Sequence, residues 1–175
     1  MTVTLEALWS VADSLALNRG KNPKHVLDPC GLLLERPLRR LEYFCTPANS
    51  ETFARTGGDG VHYGFLRLQP PFAESPIVMT VPMGNHYNIV IAESFSEFLG
   101  LGYFNGWFAL EQLAYNPEEA VRLFAGPDGE DIADREPLLK VLRATLGIVH
   151  IPLTGTRIGE LQVRYGALIQ LAAGT

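Results

Sequence analysis

The chain has 175 residues, 47% of them hydrophobic and 19% charged. That is long enough for one domain with a real core, and the composition argues against disorder. Nineteen acidic residues against 14 basic ones give a formal net charge of −5, the wrong sign for non-specific nucleic-acid binding and the right one for a basic protein partner.

No apolar run approaches the ~20 residues of a transmembrane helix. Glu6 and Asp13 interrupt the first segment where a secretory leader would need an unbroken apolar stretch. The expectation is therefore a cytoplasmic protein without membrane contact. Cys30 and Cys45 have no CxxC or Cys/His spacing and read as reduced, buried thiols.

Residues 4–17 carry Leu5, Leu8, Trp9, Ala12, Leu15 and Ala16 at helical spacing, with Asn18 and Gly20 to end the helix. Its polar side shows Glu6 and Asp13 instead of lysines, which favours core packing over membrane anchoring. Pro23, Pro29, Gly31 and Pro37 break residues 21–37, leaving at most a short strand through Leu32, Leu33 and Leu34. Arg36, Arg39 and Arg40 sit among Glu35 and Glu42 and read as a solvated, internally paired face.

Residues 41–45 read as a strand, and Thr46-Pro47 turns the chain. Gly57, Gly58 and Gly60 make 53–60 a tight turn. Alternation from Val61 puts Tyr63 and Phe65 on one strand face and His62, Gly64, Leu66 and Leu68 on the other. After Pro70-Pro71 and Pro76 comes a strand at 77–81, stopped by Pro82, and Gly84-Asn85 turns into another at 87–92. Three strands on short turns predict an antiparallel meander.

At 88–102 a strand runs straight into a helix. Ser94 is the N-cap, Glu97 closes a capping box, and Phe95, Phe98 and Leu99 form an apolar face. A helix is expected from Asn105 or Gly106 through Tyr115. Asn116-Pro117-Glu118-Glu119 starts another, which Gly126-Pro127 stops. Residues 128–135 read as an acidic surface loop. Pro137 opens a helix with Leu138, Val141, Leu142 and Thr145 on its packed face. The tail fits either a helix (Ile158, Leu161, Tyr165, Leu168, Ile169) or a strand (Leu161, Val163, Tyr165). The fold expected is a single α+β domain over 1–175, with a mainly antiparallel sheet of four to six strands covered by helices on one side.

No specific catalytic motif is present. Gly57-Gly58-Asp59-Gly60 is similar to the Gly-Gly-Asp-Gly-Thr phosphate loop of lipid and nicotinamide-dinucleotide kinases. Here Val61 stands in place of the threonine, 52–56 is no apolar strand, and no Lys-Ser or Lys-Thr pair follows. A structural turn is the better reading. Asp59 and His62, with His86, could suggest a metal or acid–base pair, but His62 reads as a hydrogen-bonded residue of a half-exposed strand. There is no Gly-x-Ser-x-Gly elbow, and Phe104, Trp107 and Phe108 fit a helix core better than a ligand cage. No enzymatic activity, cofactor or metal is expected.

The segment Gly57-Gly58-Asp59-Gly60 leading into a strand at 61–68, the strand at 77–81, and Ile91-Ala-Glu-Ser-Phe-Ser-Glu-Phe-Leu99 together resemble the SUKH superfamily. The last stretch looks like that family's Ala-x-Ser-Phe-x-x-Phe-Leu hallmark, and the close match covers about a quarter of the chain. SUKH proteins are α+β, and many bacterial members are immunity proteins for polymorphic toxins. Two departures stand out. Residues 43–50 replace the family's acidic, aromatic segment, and the helical tail after Asn116 is longer than in a minimal member.

The resemblance implies a non-enzymatic protein-binding module, an immunity protein neutralising a secreted toxin, often a nuclease. A housekeeping interaction protein, or a small-ligand binder using the Gly57–His62 turn, are the alternatives. The matched residues Gly57, Gly58, Gly60, Ser94, Phe95, Glu97, Phe98 and Leu99 look structural. Partner contacts are expected at Asp59, His62 and Tyr63, at His86 and Tyr87, and in the acidic loop at Asp128, Glu130, Asp131 and Asp134. The partner would present a basic surface.

Overall fold

The computed structural model describes residues 3–69, 75–130 and 132–172. Five strands pair in chain order into one wholly antiparallel sheet: β1 (Leu33–Arg39), β2 (Ser50–Arg55), β3 (His62–Leu66), β4 (Ile77–Thr80) and β5 (Asn88–Ala92). Helices α1 (Leu5–Arg19), α2 (Phe95–Leu101), α3 (Pro117–Leu123), α4 (Arg135–Leu146) and α5 (Gly155–Tyr165), with a 3-10 helix at Phe108–Ala114, complete an α+β fold. The Pro70-Pro71 break read from the sequence lies outside the described residues.

The helix ends follow the sequence closely. Thr4 Oγ1 accepts from Ala7 N, and Gly20 closes α1 at φ 61°. Ser94 Oγ accepts from Glu97 N at 3.2 Å. The Glu97 carboxylate accepts from Glu93 N at 2.7 Å, one residue before the cap, so the capping box is stretched by a position. Asn116 caps α3 through Glu119 N.

Several elements depart from the sequence reading, each for a local reason. Residues 41–45 form no strand; the pairing segment is β2, which begins at Ser50. A register shift between Thr52 and Ala54 breaks the two-residue period, so Thr52, Phe53 and Ala54 are all buried and nothing alternates. Strand β1 runs through Pro37, which an edge strand tolerates because the missing N–H would face no partner. The helix expected from 105 or 106 starts only at Phe108 and is 3-10. Trp107 N donates to Cys30 O at 2.7 Å, and a Cβ on Gly106 (φ 73°) would lie 2.4 Å from that oxygen, so this corner is fastened before any helix can begin.

In α4 the buried stripe is Arg135, Leu138, Leu139, Leu142 and Leu146, with Val141 and Thr145 outside. In the tail, Leu161 and Tyr165 are buried while Val163 is 88% exposed. That four-residue spacing makes it a helix.

All five residues of β3 are buried, so the sheet is closed on both faces and not on one. On the first face Phe53, Tyr63 and Phe65 meet α2: the Phe53–Phe98 and Tyr63–Phe98 ring centroids lie 5.2 and 5.1 Å apart. On the second, residues 41–49 and the tail close over the strands. Asn88 Nδ2 donates to Cys45 O at 2.8 Å, and Ala48 N donates to Gln170 O at 2.6 Å. Both cysteines are free and buried, and burial pushes the Cys30 thiol up to about 12. Among the described residues no helix is long and apolar enough to cross a membrane.

Helix α5 crosses β5. Val90 N donates to Gln162 Oε1 at 3.3 Å and Gln162 Nε2 donates to Val90 O at 2.8 Å. Arg157 holds Glu97 at 2.8 Å and Glu93 at 3.1 Å, Tyr165 Oη donates to Glu93 at 2.5 Å, and Arg164 pairs with the same carboxylate. The Tyr165 hydrogen bond above all, then Arg157 and Arg164, hold the Glu93 carboxyl below its usual range against the opposing effect of burial. A carboxyl that is more acidic when folded stabilises the protein above its unfolded pKa of about 4.3 and loses that contribution as pH falls through its lower folded value. Replacing Glu93 by Gln should therefore cost stability at pH 7 and progressively less below about pH 4. Urea titrations of both proteins at several pH values test this, and a pH-independent difference would contradict it.

Candidate functional site

The in-register residues His62, Thr80 and Asn88 mark one end of the sheet. Here the β2–β3 turn (56–60), the β4–β5 turn (81–87), residues 43–46 and the 3-10 helix come together. Gly57 and Gly60 take φ of 89° and 74°, and Asp59 between them is itself left-handed at 47°, so the turn lifts the Asp59 carboxylate into solvent. A Cβ on Gly60 would stand 2.7 Å from the Tyr43 ring, and Gly58 faces Phe108. On the other side Asn85 N donates to Ala114 O at 3.1 Å, which docks the β4–β5 turn on the end of the 3-10 helix.

A buried polar layer supports this end. His62 is interior. Its Nδ1 lies 2.7 Å from Gly60 O, which only accepts, so Nδ1 carries the proton. Nε2, at 3.1 Å, is then left to accept from Thr46 Oγ1. Arg40 donates to Thr46 O and Pro47 O, and Thr80 Oγ1 donates to Asn88 Oδ1. With its polar backbone pinned from beneath, this segment turns Tyr43 over His62, ring centroids 5.6 Å apart, and sets Phe44 edge-on to Tyr87 at 5.1 Å.

The result is a patch of exposed aromatic and apolar side chains: Tyr43, Phe44, Met83, Tyr87, Phe108 and Tyr115. Two carboxylates lie within it. Burial and then the Asp59 charge push Glu111 above its usual range. Burial, Glu111 and Asp59, in that order, raise the Tyr115 hydroxyl. Among the described residues no cation is set against either acid.

Of the contacts expected from sequence, the structure brings Asp59, His86 and Tyr87 together on this surface. His62 and Tyr63 lie beneath it: Tyr63 is fully buried and donates through Oη to Trp107 O at 2.6 Å. Neither has a face to offer a partner, because Tyr63 lies under α2 on the first sheet face and His62 under residues 43–46 on the second. The acidic loop is elsewhere and mostly committed. Asp128 holds the buried Arg135 guanidinium at 2.6 Å, Glu130 gives Arg135 its carbonyl, and Asp134 pairs with Arg19 at 3.5 Å. Asp131 lies outside the described residues.

The basic cluster is likewise internal. Glu35, nearly buried, pairs with Arg55 and Arg39, and Arg36 stacks over Trp9 beside Asp13. Phe108 and Tyr115 had no signal of their own, since aromatic residues in a run expected to be helix read as core; Tyr43 and Phe44 stood in a run expected to be a strand, and Glu111 and Met83 belonged to no motif. No three His, Cys, Asp or Glu side chains converge as metal ligands would among the described residues.

Burial above all, then the Arg55 and Arg40 charges, lower the His62 pKa, against the Gly60 hydrogen bond. Native His62 thus stays neutral where the unfolded residue, at about 6.5, takes a proton. Stability should fall as pH drops below about 6.5, at up to ~1.4 kcal/mol per pH unit until the native ring protonates. Melting curves between pH 7 and 5 should show that slope, and His62→Gln should flatten it. An unchanged slope in the variant would contradict the assignment.

A scan against protein-family models and a search of curated proteins match nothing to this chain.

Proposed function

We propose that the chain is a non-enzymatic protein-binding module, an immunity-type protein that neutralises a basic toxin domain. The single observation that carries the binding reading is the pair Asp59 and Glu111, two carboxylates with no cation set against them among the described residues, lying among exposed Tyr43, Phe44, Tyr87 and Tyr115. Tyrosines are strong interface anchors because they bury much area with few rotatable bonds. Uncompensated acids steer a basic partner and fix its register. An arginine or lysine laid between the two acids would relieve their mutual repulsion and could stack on Tyr115. The immunity role rests on the SUKH resemblance at 57–68 and 91–99. A housekeeping interaction protein would use the same surface for an intracellular partner.

The ligand-turn alternative draws no support from the geometry: His62 is turned inward on Gly60 and Thr46, away from anything the Asp59 tip could hold.

Affinity capture from the source organism, with the wild type and with an Asp59→Asn, Glu111→Gln, Tyr115→Ala variant, tests this reading. A basic chain retained by the wild type and reduced at least about tenfold by the variant is expected, since the three changes remove about 1.4 kcal/mol or more of binding. A toxin-like chain separates immunity from housekeeping. Equal retention by both proteins would overturn the assigned surface.

A further inference from the structure

The two sheet edges are protected in different ways. Edge strand β1 carries Glu35, Arg36, Pro37 and Arg39, the charges and proline that discourage pairing with another chain. Edge strand β5 reads Asn-Ile-Val-Ile-Ala, with no charge and no proline. By composition it is a pairing-prone strand. Its outward backbone groups at Val90 are instead met by one side chain, as the Gln162 amide donates to Val90 O and accepts from Val90 N. A primary amide placed this way reproduces what a neighbouring strand's peptide group offers.

We infer that α5 is an edge guard, occupying the pairing positions that β5 of a second copy of this chain would otherwise take. The geometry defines the competing complex. Val90 directs both its N–H and its C=O outward. Two copies related by a two-fold axis through Val90 would exchange both bonds as a hydrogen-bonded antiparallel pair, an isologous contact that closes as a dimer.

The guard packs mainly on β5. Beneath it lies a small cluster of Val90, Leu161 and Tyr165, distinct from the main core. It is also held by the polar set that Arg157, Arg164 and Tyr165 make with Glu93 and Glu97 at the rim, and by Ile158, which packs against both the small cluster and the main core.

The test uses the full chain with Gln162→Leu and Arg157→Ala together, which loosen the guard and leave the main core untouched. Sedimentation equilibrium should show self-association about tenfold or more tighter than wild type, the size expected for two unmasked backbone groups finding partners. Hydrogen exchange at the Val90 amide should be fast in the dilute variant and slow in its dimer. A variant that exchanges Val90 rapidly yet associates no more than wild type overturns the inference, as does a dimer in which Val90 stays unprotected. If the double variant does not fold, Gln162→Glu, which keeps the acceptor and removes the donor to Val90 O, is read by the same criteria.

Discussion

Trp107 is where the molecule is tied together. Its indole Nε1 donates to Phe98 O at 2.9 Å, its carbonyl accepts from Tyr63 Oη, and its own N–H donates to Cys30 O. The ring stacks on Phe98 with centroids 5.8 Å apart, and it lies so close over Gly102 that a Cβ there would fall 2.2 Å from it. One fully buried residue thus joins α2, β3 and the turn at 28–31, with each polar group satisfied, a condition without which its burial would cost several kcal/mol. The 3-10 helix begins at the next residue. The positions of Phe108, Glu111 and Tyr115 beside the Asp59 turn are consequences of how Trp107 is held.

Local chemistry carried much of this architecture in the sequence. The Ser94 cap, the Phe95–Phe98–Leu99 face, the glycine turn and the Asn116-Pro117 start all act within a few residues, and each was legible. What was not legible is non-local. Nothing near His62 or Tyr63 says that residues 41–49 fold over one sheet face and that Phe98 and Trp107 close over the other, so two interior residues read as surface contacts beside Asp59. Strand β2 was hidden by a bulge that cancels its alternation. The binding surface was half visible: the turn tips at Asp59, His86 and Tyr87 announce themselves, whereas Glu111 and Tyr115 reach the patch only because the chain is fastened at Gly106 and Trp107.

The two glutamates of the 91–99 stretch are spent on architecture. Glu97 caps α2 and, with Glu93, anchors α5 across the β5 edge. The exposed side chains of residues 43 and 44, the two turns and the 3-10 helix are left free of such packing duties. Residues 43–50, where this chain departs from the family pattern, include Tyr43 and Phe44 of the patch.

The most direct test of the assigned surface is site-specific photo-crosslinking in the native cell. A photoreactive phenylalanine is placed at Tyr87 or Tyr115 within the patch, or at Val163 on the exposed side of α5. One discrete adduct with a basic protein is expected from the first two positions and none from the third. Adducts from Val163 alone, or from no position, would contradict it.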